Sequence, residues 1–240
     1  MQKLDLQKVN EYVEKHIDTF HQKRADSLEK LKLADILKRK NPYLFKAKHI
    51  LLAHDFVQQI LDAHLQSQEE TLFGDFLEKL AIFVSYELNG GIKSTNLTGI
   101  DLEFERAGVY YIVEIKSGPN WGNSSQILKM QQNFATAKAA LAPKKVVAIN
   151  GCCYGKDQQP EKDGYLKLCG QRFWEFLSED PEFYTHIIEP IGYKAKEKNE
   201  AFSKTYGRIL NLFTAAFVKD FCSDTGAIDW IKLLEFNSKK

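Results

Sequence analysis

The segment at residues 109–116 constrains the fold more than any other part of this chain. Its sequence, Val-Tyr-Tyr-Ile-Val-Glu-Ile-Lys, is mostly β-branched or aromatic and is apolar on both faces until Glu114. A strand without a polar face needs cover on both sides, so the pattern predicts a central strand. Just upstream, residues 99–105 alternate between apolar and acidic side chains, and Arg106-Ala-Gly is a turn signal. Together these segments predict a β-hairpin.

Helical periodicity surrounds this hairpin. Apolar residues recur at helical spacing before residue 89 and after residue 170, which is typical of amphipathic helices. The predicted helices cover residues 3–40, 43–66, 70–88 and 125–141 and most of the chain from 171 onward, and further strands are predicted at 145–150 and 165–169. The sum predicts an α/β fold, or an α+β fold with a mixed central sheet flanked by helices.

The composition is that of an ordinary globular chain. Hydrophobic residues make up 44% of the 240 residues and charged residues 27%, which excludes a disordered chain. No apolar stretch approaches the ~18 residues of a membrane-spanning helix, and the four cysteines lack the spacing of a disulfide framework. We therefore expect a cytoplasmic protein without a membrane partner. Because the net charge is only +1, a polyanionic partner must be met by a local basic patch.

The hairpin brings three charged residues together. If its turn is centred on Ala107-Gly108, Asp101 lies opposite Glu114, with the two Cβ atoms about 4.5–5.5 Å apart. Two carboxylates at that separation repel unless a cation or a proton lies between them, and oxygen-only ligands suit Mg²⁺. Lys116 lies two residues beyond Glu114 and therefore on the same face. The pattern predicts a metal site with a neighbouring ammonium group.

The alternative is an ordinary cross-strand ion pair on a solvated sheet edge. The strand context favours the metal site, because residues 109–116 are apolar on both faces and should leave Glu114 and Lys116 nearly buried. Buried charges persist when they are paired or bind a metal.

The same residues carry a resemblance to a known family. A helix, Gly99-Ile-Asp101, Glu114-Ile-Lys116, and then a helix and a strand resemble the PD-(D/E)xK nuclease core. A longer stretch more specifically resembles type II restriction endonucleases: Glu114-Ile-Lys-Ser-Gly-Pro-Asn-Trp-Gly-Asn. Stretches that begin at Leu168, Lys194 and Asp229 resemble the branch that cuts GGNCC-type sites. The chain departs from the family pattern in having Ile-Asp rather than Pro-Asp.

This resemblance implies a sequence-specific, Mg²⁺-dependent type II restriction endonuclease that hydrolyses double-stranded DNA in a prokaryotic cytoplasm, with Mn²⁺ as a substitute ion. It implies that Asp101 and Glu114 hold the metal and that Lys116 orients the attacking water or stabilises the transition state. The family often adds an upstream glutamate as a further catalytic metal ligand, and Glu78 fits that role. The alternative for Glu78 is a surface glutamate on an acidic amphipathic helix.

The loop after the catalytic strand and the segment after the next strand are candidate DNA contacts. Asn and Gln can pair with adenine, and Lys with guanine, in the major groove. The predicted DNA-binding residues are Asn120, Trp121, Asn123, Ser124, Gln126, Lys129, Tyr154 and Lys156. The alternative makes Asn123 or Ser124 an ordinary helix N-cap and Trp121 a core residue. Cys152 and Cys153 are interpreted as small buried residues at a strand end.

We expect a homodimer, since a two-fold protein matches a two-fold DNA site. The predicted regions are a helical extension at 1–66 for dimerisation or DNA clasping, a nuclease core at 67–177, and a C-terminal helical region at 178–240. Two rival functions use the same observations: a structure-selective or repair DNA nuclease with this core, and a non-catalytic DNA-binding protein.

Overall fold

The computed structural model describes residues 3–239, which form ten helices and six strands. The helices are α1 (Leu6–Lys30), α2 (Leu33–Leu37), α3 (Pro42–Ala47), α4 (Ala53–Asn89), α5 (Ser124–Ala140), α6 (Gln171–Ser178), α7 (Phe183–His186), α8 (Ile188–Ile191), α9 (Ala195–Phe221) and α10 (Trp230–Ser238). The strands are β1 (Ile92–Lys93), β2 (Leu102–Arg106), β3 (Val109–Lys116), β4 (Val146–Cys152), β5 (Glu161–Lys162) and β6 (Tyr165–Cys169).

The six strands form one mixed sheet in the order β1-β2-β3-β4-β6-β5. The pairs β3–β4 and β4–β6 are parallel, whereas β1–β2, β2–β3 and β5–β6 are antiparallel. Strand β3 lies inside the sheet, as its two apolar faces predict. A mixed sheet flanked by helices, with helical segments at both ends of the chain, confirms the predicted α+β fold.

The turn between β2 and β3 fixes the register of the hairpin. Ala107 and Gly108 both have positive φ, at 51° and 72°, as a two-residue type I′ turn requires. Arg106 pairs with Val109, and Leu102 pairs with Val113, which is the predicted alignment. Asp101 lies one residue before β2, and its N–H donates to the Val113 carbonyl at 2.9 Å.

The chain divides into two compact units, each made of two segments of sequence. One comprises Met1–Asp18 and Phe73–Tyr193 and contains the whole sheet, and the other comprises Thr19–Leu72 and Lys194–Lys240 and is helical. These limits differ from the predicted divisions at residues 66 and 177. The predicted role of the N-terminal segment, dimerisation or DNA clasping, stays a prediction.

Several helix limits also differ from the prediction. The predicted break between residues 66 and 70 is absent, because Gln-Ser-Gln-Glu-Glu is polar but contains no glycine or proline, and α4 continues through it. Conversely, the predicted helix at 3–40 is interrupted after Lys30. Between the predicted helices at 3–40 and 43–66, the Asn41 side chain accepts from two backbone N–H groups and begins α3, with Pro42 as the first helical residue.

Each unit has its own apolar core. In the sheet-containing unit, α5 packs Met130, Phe134 and Ala137 against Ile112 and Ala148. Ile127, near the start of α5, is exposed. In the helical unit, buried aliphatic and aromatic side chains of α2, α3, α4, α9 and α10 form the core. None of the helices formed by residues 3–239 is long and apolar enough to span a membrane.

Candidate active site

Asp101 is held at the end of the β2–β3 hairpin by the backbone. Its Oδ2 accepts from the Ile115 N–H at 2.7 Å, which fixes the direction of the carboxylate. Burial raises the pKa of Asp101, and the nearby carboxylates of Glu78 and Glu114 raise it further, while the Ile115 hydrogen bond and Lys116 lower it. Asp101 therefore lies within electrostatic reach of two other acidic side chains.

Glu114 is only 8% exposed, near the end of β3. Its Oε1 pairs with the Lys116 ammonium at 2.8 Å, whereas its Oε2 has no hydrogen-bond partner in the part of the chain that the structure describes. A buried acceptor without a donor costs free energy, so Glu114 Oε2 is a candidate ligand for a cation.

Lys116 also lies beside Trp121, which was predicted to be a DNA contact or, alternatively, a core residue. Its Nζ lies 4.8 Å from the centre of the Trp121 ring. The Trp121 indole N–H donates to Asn150 Oδ1 at 3.1 Å, and Asn150 Nδ2 donates to the Glu114 carbonyl at 3.3 Å. Asn150 was missed as a site residue, although an asparagine that ends the apolar run Val-Val-Ala-Ile-Asn was a usable signal.

Glu78 lies on α4 and forms an ion pair with Lys93 of β1, with 3.0 Å between Oε1 and Nζ. A Cβ atom added to Gly74, one turn earlier, would lie 2.7 Å from Ser117 Oγ, so α4 approaches the end of β3 closely at this glycine. Lys93, the partner of Glu78, was not predicted as a site residue. Within residues 3–239, no three acidic, histidine or cysteine side chains converge as a preformed metal-binding group.

A comparison with known families places this site in context. The model of the family described as type II restriction endonuclease EcoO109I matches residues 7–199. The chain belongs to this family. A search of curated proteins gave no match. The protein is therefore a type II site-specific deoxyribonuclease that acts on DNA, as the resemblance implied, and the family generally uses divalent metal ions.

In this restriction endonuclease, the two segments predicted to contact DNA leave adjacent parallel strands at the same sheet edge. Cys153 N–H donates to the Lys116 carbonyl at 2.9 Å, and Tyr154 N–H donates to the Ser117 carbonyl at 3.0 Å. Tyr154 is 55% exposed, and with Lys156 it lines a cavity of about 660 Å³. The exposed residues among the other candidates are Asn120, Asn123, Ser124, Gln126 and Lys129.

Two of those candidates also form an ordinary helix cap. The Asn123 side chain accepts from the Gln126 N–H at 3.1 Å, and the Gln126 side chain accepts from the Asn123 N–H at 3.0 Å. This reciprocal capping box begins α5. The structural alternative is thus realised for Asn123, and any contact with DNA must come from the polar atoms that the cap leaves available.

The adjacent cysteines of the endonuclease are buried, as interpreted from the sequence. Burial raises the pKa of the Cys153 thiol to about 12 and that of Cys152 further still. Thiols held in this protonated state are poor nucleophiles and poor metal ligands, which fits a packing role at the end of β4.

Proposed function

We propose that Asp101, Glu114 and Lys116 form the active site, which hydrolyses phosphodiester bonds of double-stranded DNA at a specific sequence with the help of Mg²⁺. The observation that carries the proposal is the unpartnered, buried Oε2 of Glu114 beside a second carboxylate whose pKa is raised. An oxygen without a donor, close to a carboxylate that repels it, is the arrangement that a hard cation would satisfy.

The residues present fit a magnesium ion. Mg²⁺ is usually held by one or two carboxylates, with waters and phosphate oxygens completing its shell, so Asp101 and Glu114 suffice without a third protein ligand. Mn²⁺ takes the same oxygen ligands and should substitute. Glu78 remains a candidate further ligand, supported by its electrostatic effect on Asp101. When bound, the cation would lower the pKa of water and neutralise charge on the phosphate.

The chain's own groups would perform the remaining tasks. The Ile115 N–H holds the Asp101 carboxylate in one orientation, so little reorganisation is needed when a ligand arrives. The Lys116 ammonium, paired with Glu114 Oε1, can donate a hydrogen bond to the attacking water or to the phosphate as negative charge grows on it. A fixed ammonium near a buried carboxylate is stronger in both roles than one in bulk water.

We propose DNA contacts from the two segments that leave β3 and β4, because their exposed polar groups emerge beside the site. The proposed contacts are Asn120, Asn123, Ser124, Gln126, Lys129, Tyr154 and Lys156, whereas Trp121, also predicted as a contact, already donates its indole N–H to Asn150. We further propose a homodimer on a two-fold DNA site, with the helical segments at 1–66 and 200–236 supplying the interface or clasping the duplex, in a prokaryotic cytoplasm.

The test is cleavage of supercoiled plasmid with Mg²⁺, Mn²⁺ or chelator, followed by sequencing of the cut ends. Discrete fragments with one shared end sequence are expected with either ion, and intact plasmid is expected with chelator. Full cleavage in chelator would contradict the role of the metal. Sedimentation of the free protein and of its complex with the mapped duplex tests the dimer, and a monomer in both states would contradict it.

A further inference from the structure

Asn150 is a buried polar residue next to the proposed active site. It lies in β4 directly opposite Glu114 in the parallel register, and it is 1% exposed. A carboxamide buried to this degree needs partners at both of its ends. Its Nδ2 donates to the Glu114 carbonyl, and its Oδ1 accepts from the indole of Trp121. The side chain therefore joins the catalytic strand to the loop that follows that strand.

The chemistry of the two partners fixes the orientation of this amide. An indole N–H can only donate, and a backbone carbonyl can only accept. Rotating the Asn150 carboxamide by half a turn would leave both partners unmatched. Neither leucine nor aspartate at this position could reproduce both hydrogen bonds, because leucine has no polar atom and an ionised carboxylate has no donor.

The face of the Trp121 ring carries the ammonium group of Lys116. Lys116 Nζ lies 4.8 Å from the ring centre and 2.8 Å from Glu114 Oε1. A cation is attracted to the face of an indole, so the ring and the carboxylate together restrict a long and flexible side chain. The loop that carries Trp121 is otherwise anchored by Lys167 Nζ, which donates to the Pro119 carbonyl at 2.8 Å.

We propose that Trp121 and Asn150 are positioning residues for DNA hydrolysis. Asn150 fixes the indole of Trp121, and the indole face holds the Lys116 ammonium next to Glu114. This inference rests on the proposed function, because the arrangement matters only if Lys116 acts at the scissile phosphate. It assigns both residues to the rate of bond cleavage rather than to the strength of DNA binding.

The first test compares two replacements of Trp121 in the full-length protein. The measurements are the single-turnover rate constant at saturating enzyme, and the enzyme concentration at half-saturation, on a duplex that carries the mapped site. Trp121→Leu removes the ring and should lower the rate constant by about 3- to 30-fold, the range of a lost cation–π contact. Half-saturation should move less than about 2-fold. Trp121→Phe keeps a ring face and should recover most of the rate.

The second test replaces the anchor. Asn150→Ser retains a polar group, but the serine side chain is too short to bridge Glu114 and Trp121. The rate constant should therefore fall again, while the enzyme concentration at half-saturation stays unchanged. Phe176→Leu is the matched control, because Phe176 is also a half-buried ring, with Arg106 4.8 Å above it, but it lies beside the hairpin turn. This control should cleave at the wild-type rate. Thermal melting of each variant shows whether the fold is retained.

Two results would overturn the inference. One is a higher enzyme concentration at half-saturation with an unchanged rate constant, which would make Trp121 a DNA contact. The other is a Trp121→Leu variant that cleaves as fast as wild type, or a Trp121→Phe variant that is no better than Trp121→Leu. Lys116→Gln separates these failures from failure of the proposed function. If Lys116→Gln cleaves normally, the site assignment itself is wrong, whereas a slow Lys116→Gln beside a normal Trp121→Leu refutes only the positioning role.

Discussion

Two clusters of charged side chains, one in each compact unit, differ in how completely they are paired. In the helical unit, Arg24 forms an ion pair with Glu69, donates to Asn199 at 3.2 Å and lies over the Phe202 ring. In the sheet-containing unit, Glu114 keeps one buried oxygen without a partner among residues 3–239.

The difference separates a structural cluster from a candidate site. A cation such as Arg24, satisfied by carboxylate, amide and ring, leaves nothing for a ligand to contribute. A buried oxygen without a donor, next to a carboxylate whose pKa is raised, is tolerated at a cost that a bound cation would remove. We therefore propose that the Arg24 cluster contributes stability and that the Glu114 cluster carries the chemistry, and four experiments can break or sharpen that proposal.

The largest effect is expected from removing one charge at each cluster. Glu114→Gln should lower Mg²⁺-dependent cleavage by at least about a hundredfold, because the proposed metal site loses one of its two carboxylate ligands. Glu69→Gln should leave the cleavage rate of the folded protein within a few-fold of wild type. Plasmid cleavage time courses with both variants provide the measurement. Equal losses in the two would end the distinction between the clusters.

Lys116→Ala should lower the cleavage rate by roughly a hundredfold or less while DNA binding survives. The reason is that the ammonium lies between Glu114 and the Trp121 ring, not on an exposed surface that could clamp a duplex. Cleavage rates and binding isotherms on the mapped duplex provide the comparison. Loss of binding in parallel with cleavage would make Lys116 a phosphate clamp instead.

A smaller effect is expected at the start of α5, where the capping box complicates a simple alanine test. Asn123→Ser keeps a cap side chain but removes the amide, so it separates base reading from helix stability. If Asn123 contacts a base, cleavage of the mapped site should fall by about 5- to 150-fold. Binding to random DNA at the same salt concentration should change little. Similar losses on both DNAs would show that this loop only positions the backbone.

The smallest effect concerns stability, and its sign should be opposite at the two clusters. The folded pKa of Asp101 is raised above its unfolded value, so its charge destabilises the fold at neutral pH, and that cost disappears as pH falls through the folded pKa toward about 4. With chelator present, Asp101→Asn should therefore raise Tm at pH 8, by roughly 2–4 °C for each kcal/mol recovered, and the gain should shrink toward pH 4.

Glu69→Gln should instead lower Tm at pH 8, because Arg24 loses its ionised partner while it stays mostly buried. Melting curves of the two variants across this pH range check both signs. An Asp101→Asn variant less stable than wild type would mean that its charge is already compensated within the folded chain.

The parts of the fold with a strong local pattern could be predicted. The two-faced apolar run of β3 and the alternation before it gave the central strand, and a two-residue turn gave the alignment through Leu102 and Val113. From that alignment alone, Asp101, Glu114 and Lys116 could be brought together. Their roles stay predictions, which the family resemblance supports and the proposed mutational experiments would test.

The rest depended on contacts that leave no local pattern. Strands β1 and β5 have two residues each, too few for any period to show. The hydrogen bond between Asn150 and Trp121 joins residues 29 positions apart, and the sequence around either residue does not indicate the other. The two compact units are each assembled from distant segments of chain, so no composition change along the sequence could mark their limits.

The small exposed turn at Ala107 and Gly108 sets the alignment of the proposed active site at the far end of the hairpin. Five residue pairs separate this turn from Asp101, and the alignment of each pair depends on that of the pair before it. Side chains alternate between faces, so a slip of one position would send Glu114 and Lys116 to the opposite side of the sheet. Ala107 holds its positive φ against a penalty of roughly 1–2 kcal/mol. We therefore expect that inserting or deleting a residue in this turn would inactivate the enzyme without altering any residue of the proposed active site.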